Sequence, residues 1–270
     1  MSNVYVQASA ALACSDPDTK LTMAAALSAD WLAGRLDFEP RTLTPEAGRP
    51  GKPQLVPPAQ LPARGAHTPE GRAALVHAIA HIEFNAINLA LDHIVRFPDF
   101  PHTYIDDWVK VAAEEAYHFG LVRDHLRTLG YAYGDFVAHD GLWQMTLKTA
   151  HDPLARMALV PRLLEARGLD ATPPIQKKLQ GAGDQAAVAI LDIILRDEVG
   201  HVAIGDRWFR LLCRERGLEP EATYRRLIEE YAAPWPQPPL NEQARRAAGF
   251  SEAELHELVA PGRGRHNDKS

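Results

Sequence analysis

The sequence predicts an all-α protein, and three observations lead to that fold class. Apolar residues between positions 75 and 94 recur at spacings of three and four, which places them on one face of a helix. Thr68-Pro69-Glu70 precedes them and supplies a hydroxyl N-cap, a proline at the first helical position and an acid in the first turn. No segment alternates apolar and polar residues over the length of a strand.

Four long helices are expected in the middle of the chain. The first ends at the prolines Pro98 and Pro101, and the second runs from about 102 to 129, before Gly130. The third covers about 152–167, and the fourth begins after Asp184 and reaches about Arg216.

Composition divides the chain into three parts. Residues 1–67 are predicted to hold an N-terminal helix, at Thr19–Leu36, and a proline-rich arm. Residues 68–217 contain the four long helices. Residues 218–270 are expected to form a C-terminal helical extension, with helices near Glu221–Tyr231 and Ser251–Val259, and a frayed tail.

Charge and cysteine content restrict the classes of function. The 270 residues carry a formal net charge of −6, which argues against nucleic-acid binding through overall charge. Two cysteines, Cys14 and Cys213, cannot form a disulfide framework and suit a reducing compartment. A signal peptide begins with a positively charged region, but the residues before Lys20 contain no Lys or Arg. No apolar run is long enough to span a membrane. We therefore expect a cytoplasmic protein with no membrane partner.

Two short motifs place a carboxylate and an imidazole on one helix face. They are Glu115-Ala116-Tyr117-His118 in the second helix and Glu198-Val199-Gly200-His201 in the fourth. Residues three apart on a helix are neighbours, so each motif directs both side chains to the same point. One such motif alone is weak evidence of a metal site.

Each motif has a glutamate partner in the preceding helix. Glu83 and Glu115 each lie 16 residues from Asp99 in the Pro98–Pro101 turn, so in an antiparallel hairpin both stand ~24 Å from the turn. Glu165 and Glu198 have their midpoint between Gly181 and Ala182, again at a glycine-rich turn. That second hairpin is less regular, because Gly168–Pro174 is expected to interrupt its first helix.

The order Glu, Glu-x-x-His, Glu, Glu-x-x-His resembles the ligand set of ferritin-like di-iron carboxylate proteins over about residues 68–217. More narrowly, the segments 165–170 and 196–201 resemble a bacterial ferritin-like family that carries a domain-of-unknown-function label. Its relatives include a tRNA-modifying di-iron hydroxylase. The resemblance implies a ferritin-like four-helix bundle with helical and proline-rich extensions at both ends. The implied metal ligands are Glu83, Glu115, His118, Glu165, Glu198 and His201.

The implied cofactor is a pair of iron ions, for which manganese or zinc could substitute. Two divalent ions would balance the charge of four buried carboxylates with both imidazoles neutral. Next to the ligands, Asp197 is expected to accept the second N–H of His118, as acids near metal-bound histidines commonly do. Glu114 is assigned the same role towards His201 by symmetry.

The resemblance alone does not select an activity. An O2-activating oxygenase or hydroxylase, with the di-metal centre itself as the catalytic group, is preferred because about 120 residues outside the bundle could build a cover over a substrate. The substrate of such an enzyme would be an unknown small molecule or RNA, and a reductase partner would supply its electrons. The chain could also form a homodimer. Two alternatives remain open at this point. One is a ferroxidase or iron-handling protein without an organic substrate, and the other is a bundle in which the metal only stabilises the fold.

Several other side chains are interpreted as structural. His125 is expected to be a hydrogen-bonded core histidine, and Tyr104 and Trp108 are expected to serve mainly in packing. Seven arginines of the C-terminal third could offer RNA a basic patch, but a solvated face is preferred. They are Arg207, Arg210, Arg214, Arg225, Arg226, Arg245 and Arg246.

Overall fold

The structure is a computed structural model that describes residues 2–62 and 65–258. Helices dominate these residues, which confirms the predicted all-α class. Their strand structure amounts to Ser2–Asn3, paired in parallel with Leu36–Asp37, and one isolated bridge between Leu55 and Ala138. Contacts divide the chain into two compact units. Unit 1 comprises Met1–Trp143 with Lys178–Ile190, and unit 2 comprises Gln144–Lys177 with Leu191–Ser270.

Four helices pack together in unit 1: α1 (Val4–Ala13), α2 (Pro17–Leu32), α3 (Pro69–Arg96) and α4 (His102–Thr128). The predicted helix at Thr19–Leu36 corresponds to α2, which begins earlier because Asp16 accepts the Thr19 amide as its N-cap.

The start of α3 follows the predicted signal. The Thr68 hydroxyl accepts the Gly71 amide at 3.0 Å, and Pro69 occupies the first helical position. By length and composition α3 is apolar enough to cross a membrane, but 78% of its most apolar window is buried inside the protein. That degree of burial is typical of the core helix of a bundle.

The proline-rich arm lies against unit 1. The Gly48 amide donates to the Leu12 carbonyl at 2.8 Å, Arg49 pairs with Asp140 at 2.7 Å, and the Val56 amide donates to the Ala138 carbonyl at 2.8 Å. The contacts satisfy backbone groups that an extended, proline-interrupted segment cannot satisfy itself. The arm is therefore bound to the end of α1 and to the loop that precedes Gly141.

A buried lysine links this arm to α3. The ammonium of Lys20 donates to the carbonyls of Leu12 and Gly48, at 2.8 and 3.2 Å, and to the side-chain oxygen of Asn88. Lys20 and Asn88 are both fully buried. Three protein acceptors thus replace the water that an ammonium group normally binds.

Unit 2 contains most of the remaining helices. They are α5 (Gly141–Lys148), α6 (Pro153–Leu159), α7 (Ala166–Gly181), α8 (Gln185–Glu215), α9 (Pro220–Glu230), α10 (Glu242–Ala247) and α11 (Glu252–Leu258). Of these, α5 and α8 begin in unit 1, and α7 ends there. Helices α9 and α11 match the predicted C-terminal helices, whereas α10 was not predicted. The predicted frayed tail, Pro261–Ser270, lies outside the described residues.

The predicted interruption at Gly168–Pro174 is wrong, because α7 continues through Pro173 and Pro174. A proline inside a helix removes the amide that would bond to the carbonyl four residues earlier. For Pro173 that carbonyl belongs to Leu169, and the side-chain amide of Asn241 donates to it at 3.2 Å. A distant residue thus replaces part of the hydrogen bonding that the prolines remove.

A π-helical turn, Val160–Glu165, joins α6 to α7. The amide of Ala166 donates to the carbonyl of Pro161, five residues earlier, which is the π pattern. Pro161 explains the wider turn, since its ring would clash with the carbonyl of residue 157 in a regular α-helix. Glu165 is the last residue of this turn.

We expect Lys20→Met to lower the free energy of unfolding by about 2–3 kcal/mol, because three acceptors, two of them in buried hydrogen bonds, lose their donor. Chemical denaturation monitored by circular dichroism measures the change. Lys110→Met is the matched control: Lys110 is exposed and pairs with Glu114 only at 3.7 Å, so a change below about 0.5 kcal/mol is expected. Equal effects of the two substitutions would contradict the role given to Lys20.

Candidate metal centre

Unit 1 brings together three of the predicted ligands. Glu83 lies in the middle of α3, and Glu115 and His118 lie one turn apart on α4. All three are buried, with 6%, 2% and 0% of their surfaces exposed. We call these three residues the α3–α4 triad.

The triad is compact enough to hold one ion. The Nδ1 atom of His118 lies 3.4 Å from Oε2 of Glu83 and 3.5 Å from Oε2 of Glu115. One ligand atom from each of the three residues can be chosen so that all lie within 4.8 Å of one another. This spacing follows from the hairpin, because the Pro98–Pro101 turn sets Glu83 and Glu115 at equal height.

The two buried carboxylates of the triad face each other, and the pKa values of Glu83 and His118 are shifted as a result. Burial, together with repulsion from Glu115, raises the pKa of Glu83 to about 8. Burial alone would lower the pKa of His118, but hydrogen bonds to Glu115 and Glu83 outweigh it and raise that pKa to about 11. Without a metal, protons therefore supply the positive charge that the site needs.

The donor set of the triad fits a divalent metal ion. Two carboxylates and one neutral imidazole give a net charge of −2, which a divalent cation balances. Carboxylate oxygen and imidazole nitrogen are ligands that iron, manganese and zinc accept. The buried glutamates and histidine of unit 1 could therefore bind a metal ion, whose identity the donors alone leave open.

Unit 2 holds the other three predicted ligands. Glu165 ends the π turn, and Glu198 and His201 lie one turn apart on α8. The Nδ1 atom of His201 lies 3.2 Å from Oε2 of Glu198. Glu165 and His201 are buried, and Glu198 is partly exposed.

The start of α7 lies against Glu198. A Cβ atom built on Gly168 would stand 3.7 Å from Oε1 of Glu198, so the α7 backbone reaches that carboxylate. Gly168 is one helical turn beyond Glu165. We call Glu165, Glu198 and His201 the α7–α8 group.

The two predicted orienting acids have other partners in the structure. Asp197 pairs with Arg196 at 2.8 Å, and Glu114 lies 3.7 Å from Lys110. Their expected contacts with His118 and His201 stay predictions.

The residues interpreted as structural are mostly buried. His125 Nε2 lies 3.0 Å from Oδ2 of Asp184, which confirms the expected hydrogen-bonded core histidine. Tyr104 and Trp108 are fully buried, and the Trp108 ring lies 3.8 Å from that of His93.

Sequence analysis missed the buried arginines of unit 2. Arg245 was expected on a solvated face, but it is fully buried and pairs with Asp170 at 2.6 Å. Arg162 was not singled out, and it too is fully buried, paired with Asp206 and Glu254. A signal existed for Arg162, because it is the one charged residue in the apolar run 157–164.

These observations define a class: a helical protein with buried carboxylate and histidine groups that could bind metal. The chain belongs to the family described as "Protein of unknown function (DUF455)", whose model matches residues 13–256. A relative from Haemophilus influenzae, named an uncharacterized protein, is 52% identical over 216 residues, which cover 77% of this chain and 75% of the relative. No solved structure matches the chain significantly.

The triad predicts a pH dependence of the metal-free protein. The folded-state pKa of Glu83, about 8, exceeds its ordinary 4.5, so the folded state binds the extra proton across that window. His118 acts with the same sign between 6.5 and about 11. The free energy of unfolding should therefore fall between about pH 5 and pH 8, by an amount on the order of 5 kcal/mol from these two groups, with Glu83 contributing the larger part.

Urea denaturation of metal-free wild type and Glu83→Gln at both pH values measures this contribution. Glutamine stays neutral at every pH, so the variant should lose a large part of the slope. Asp124→Asn, which changes an exposed acid of α4, should keep the wild-type slope. Identical slopes in wild type and Glu83→Gln would contradict the assignment.

Proposed function

We propose that this protein is a ferritin-like di-iron carboxylate protein, an oxygenase or hydroxylase that uses O2 to oxidise an organic substrate. The observation that carries the proposal is the α3–α4 triad, where two buried carboxylates and a buried imidazole offer ligand atoms within 4.8 Å of one another. The repeat of Glu-x-x-His on α8, with Glu165 before it, supports a second ion bound by the α7–α8 group.

The number of ligands favours chemistry over a purely structural metal. Structural sites are usually closed by four protein ligands, whereas reactive sites keep a position open. Each group of three residues here would leave coordination positions for other molecules. Iron held by these residues would supply redox chemistry towards O2, which the side chains alone do not provide.

The protein's own residues prepare this chemistry. The carboxylates of Glu83 and Glu115 provide negative oxygen ligands, and their burial between apolar helices keeps bulk water away. Glu83 and His118 hold protons while no cation is present, and they release them when one binds. Metal binding should therefore tighten as the pH rises.

The length of the chain supports an organic substrate over iron storage. The predicted bundle, 68–217, would suffice for iron handling, yet α1 and α2 pack on its first two helices. Such additions suit a cover over a substrate pocket. The substrate, a small molecule or RNA, and the reductase that supplies electrons are part of this proposal.

We expect about two iron ions per chain when purified metal-free protein is loaded with Fe(II) without oxygen. The double variant Glu115→Ala/Glu198→Ala should retain almost none, because each group loses a ligand. Elemental mass spectrometry after desalting gives the ratio. Asp124→Ala/Asp192→Ala, which removes exposed acids from the same two helices, is the matched control and should bind as wild type does.

Oxygen consumption by the loaded protein separates the proposed activity from its alternatives. An oxygenase should consume O2 with a reductant and keep about two irons per chain. Uptake far above two irons, with ferric mineral and no organic product, would instead assign iron handling. A centre that raises the melting temperature but is never oxidised by O2 would leave only a structural role.

A further inference from the structure

The π turn that carries Glu165 is held by a buried arginine. Arg162 lies one turn before Glu165, and no part of its surface is exposed. Its Nε donates to Oδ1 of Asp206 on α8 at 2.6 Å, and its Nη2 donates to Glu254 on α11. Arg210 pairs with the same two acids, at 2.8 and 2.9 Å, so two cations face two carboxylates.

Aromatic rings enclose the same guanidinium. Its central carbon lies 4.1 Å from the ring centre of Tyr224, 4.5 Å from that of Phe250 and 5.1 Å from that of Phe209. The Tyr224 hydroxyl also donates to the Arg162 carbonyl at 3.3 Å. A guanidinium fixed by both charge and ring faces has little freedom to move.

A second buried arginine acts on the other side of Glu165. Arg245 of α10 pairs with Asp170 at 2.6 Å and donates to the carbonyl of Ala166, the residue after Glu165, at 3.4 Å. The backbone amide of Asn241 donates to Oδ1 of Asp170 at 2.9 Å. The chain is therefore held by the C-terminal segment both before and after Glu165.

Helix α8 meets the π turn too closely for any side chain but hydrogen at Gly205. A Cβ atom there would stand 2.6 Å from Cβ and Cγ of Pro161. The π turn is thus packed against the helix that carries Glu198 and His201. Pro161 prevents a regular α-helical turn here, and these outside contacts hold the resulting π turn in place.

We propose that residues 241–258 are a positioning clamp that holds Glu165 where it can bind metal. The clamp acts through two positioning residues, its own Arg245 and Arg162 of the π turn, which Glu254 of the clamp binds. The inference rests on the proposed function, because it treats Glu165 as a ligand. It assigns the C-terminal segment a role in metal affinity, in addition to any role in stability. A contact that orients a ligand typically changes metal affinity 10–100-fold when it is removed.

The test uses Co(II) added alone to the full-length, metal-free protein, because its visible spectrum reports coordination. Glu254→Gln keeps the shape of the side chain and removes its charge from Arg162. We expect one Co(II) equivalent to bind about 10–100-fold more weakly with an altered spectrum, and the other to bind as in wild type. Glu252→Gln is the matched control, since Glu252 lies on the same helix, is exposed and pairs with Arg246 at 2.5 Å.

A merely structural role would lower the denaturation midpoint of Glu254→Gln but leave both Co(II) affinities of the folded protein unchanged. That result would overturn the clamp while the proposed function stands. If wild type binds no Co(II) or Fe(II), the proposed function and the clamp both fail. Should Glu254→Gln not fold, Asp170→Asn, which releases Arg245, tests the same inference with the same readout, and unchanged affinities there would overturn it.

Discussion

The burial of two glutamates opposite each other, Glu83 on α3 and Glu115 on α4, is the constraint on which the candidate site depends. Like charges in an apolar interior cannot both persist without a counter-charge. His118 supplies one when it is protonated, and a proton on Glu83 removes the need for another. A divalent cation could replace both protons, so metal binding at this site would be linked to proton release.

The buried ion pairs of Arg162 in unit 2 contribute more to the position of the π turn than to the stability of the fold. Removing Arg162 from water is costly, and a well-packed apolar side chain of similar volume would often serve the fold as well. An apolar side chain, however, forms no directional contacts and could not fix the orientation of the π turn. The guanidinium joins the π turn to Asp206 on α8 and Glu254 on α11, and so fixes the backbone three residues before the candidate ligand Glu165.

Local features of the sequence were sufficient to predict α3, α4 and the meeting of Glu83 with His118. Caps, periodicity and equal distances from one turn lie within a single hairpin, so no distant residue enters the argument. The predictions from sequence were wrong where the local structure depends on residues distant in the chain. Continuity of α7 through Pro173 depends on Asn241, and burial of Arg245 depends on Asp170; neither partner is near in sequence. That the α3–α4 triad and the α7–α8 group belong to one di-metal centre stays a prediction.

The extensions of the chain follow a common principle within each unit. In unit 1, Lys20 holds α1 and the proline-rich arm to Asn88 of α3, and its ammonium lies 5.2 Å from the ring centre of Phe84, the neighbour of Glu83. In unit 2, Arg162 and Arg245 hold the C-terminal helices to both sides of Glu165. A buried cation therefore fastens each extension to a helix that carries a candidate ligand. Extensions bound in this way add rigidity where ligands must be placed within fractions of an ångström, which suits a reactive centre better than a store for iron.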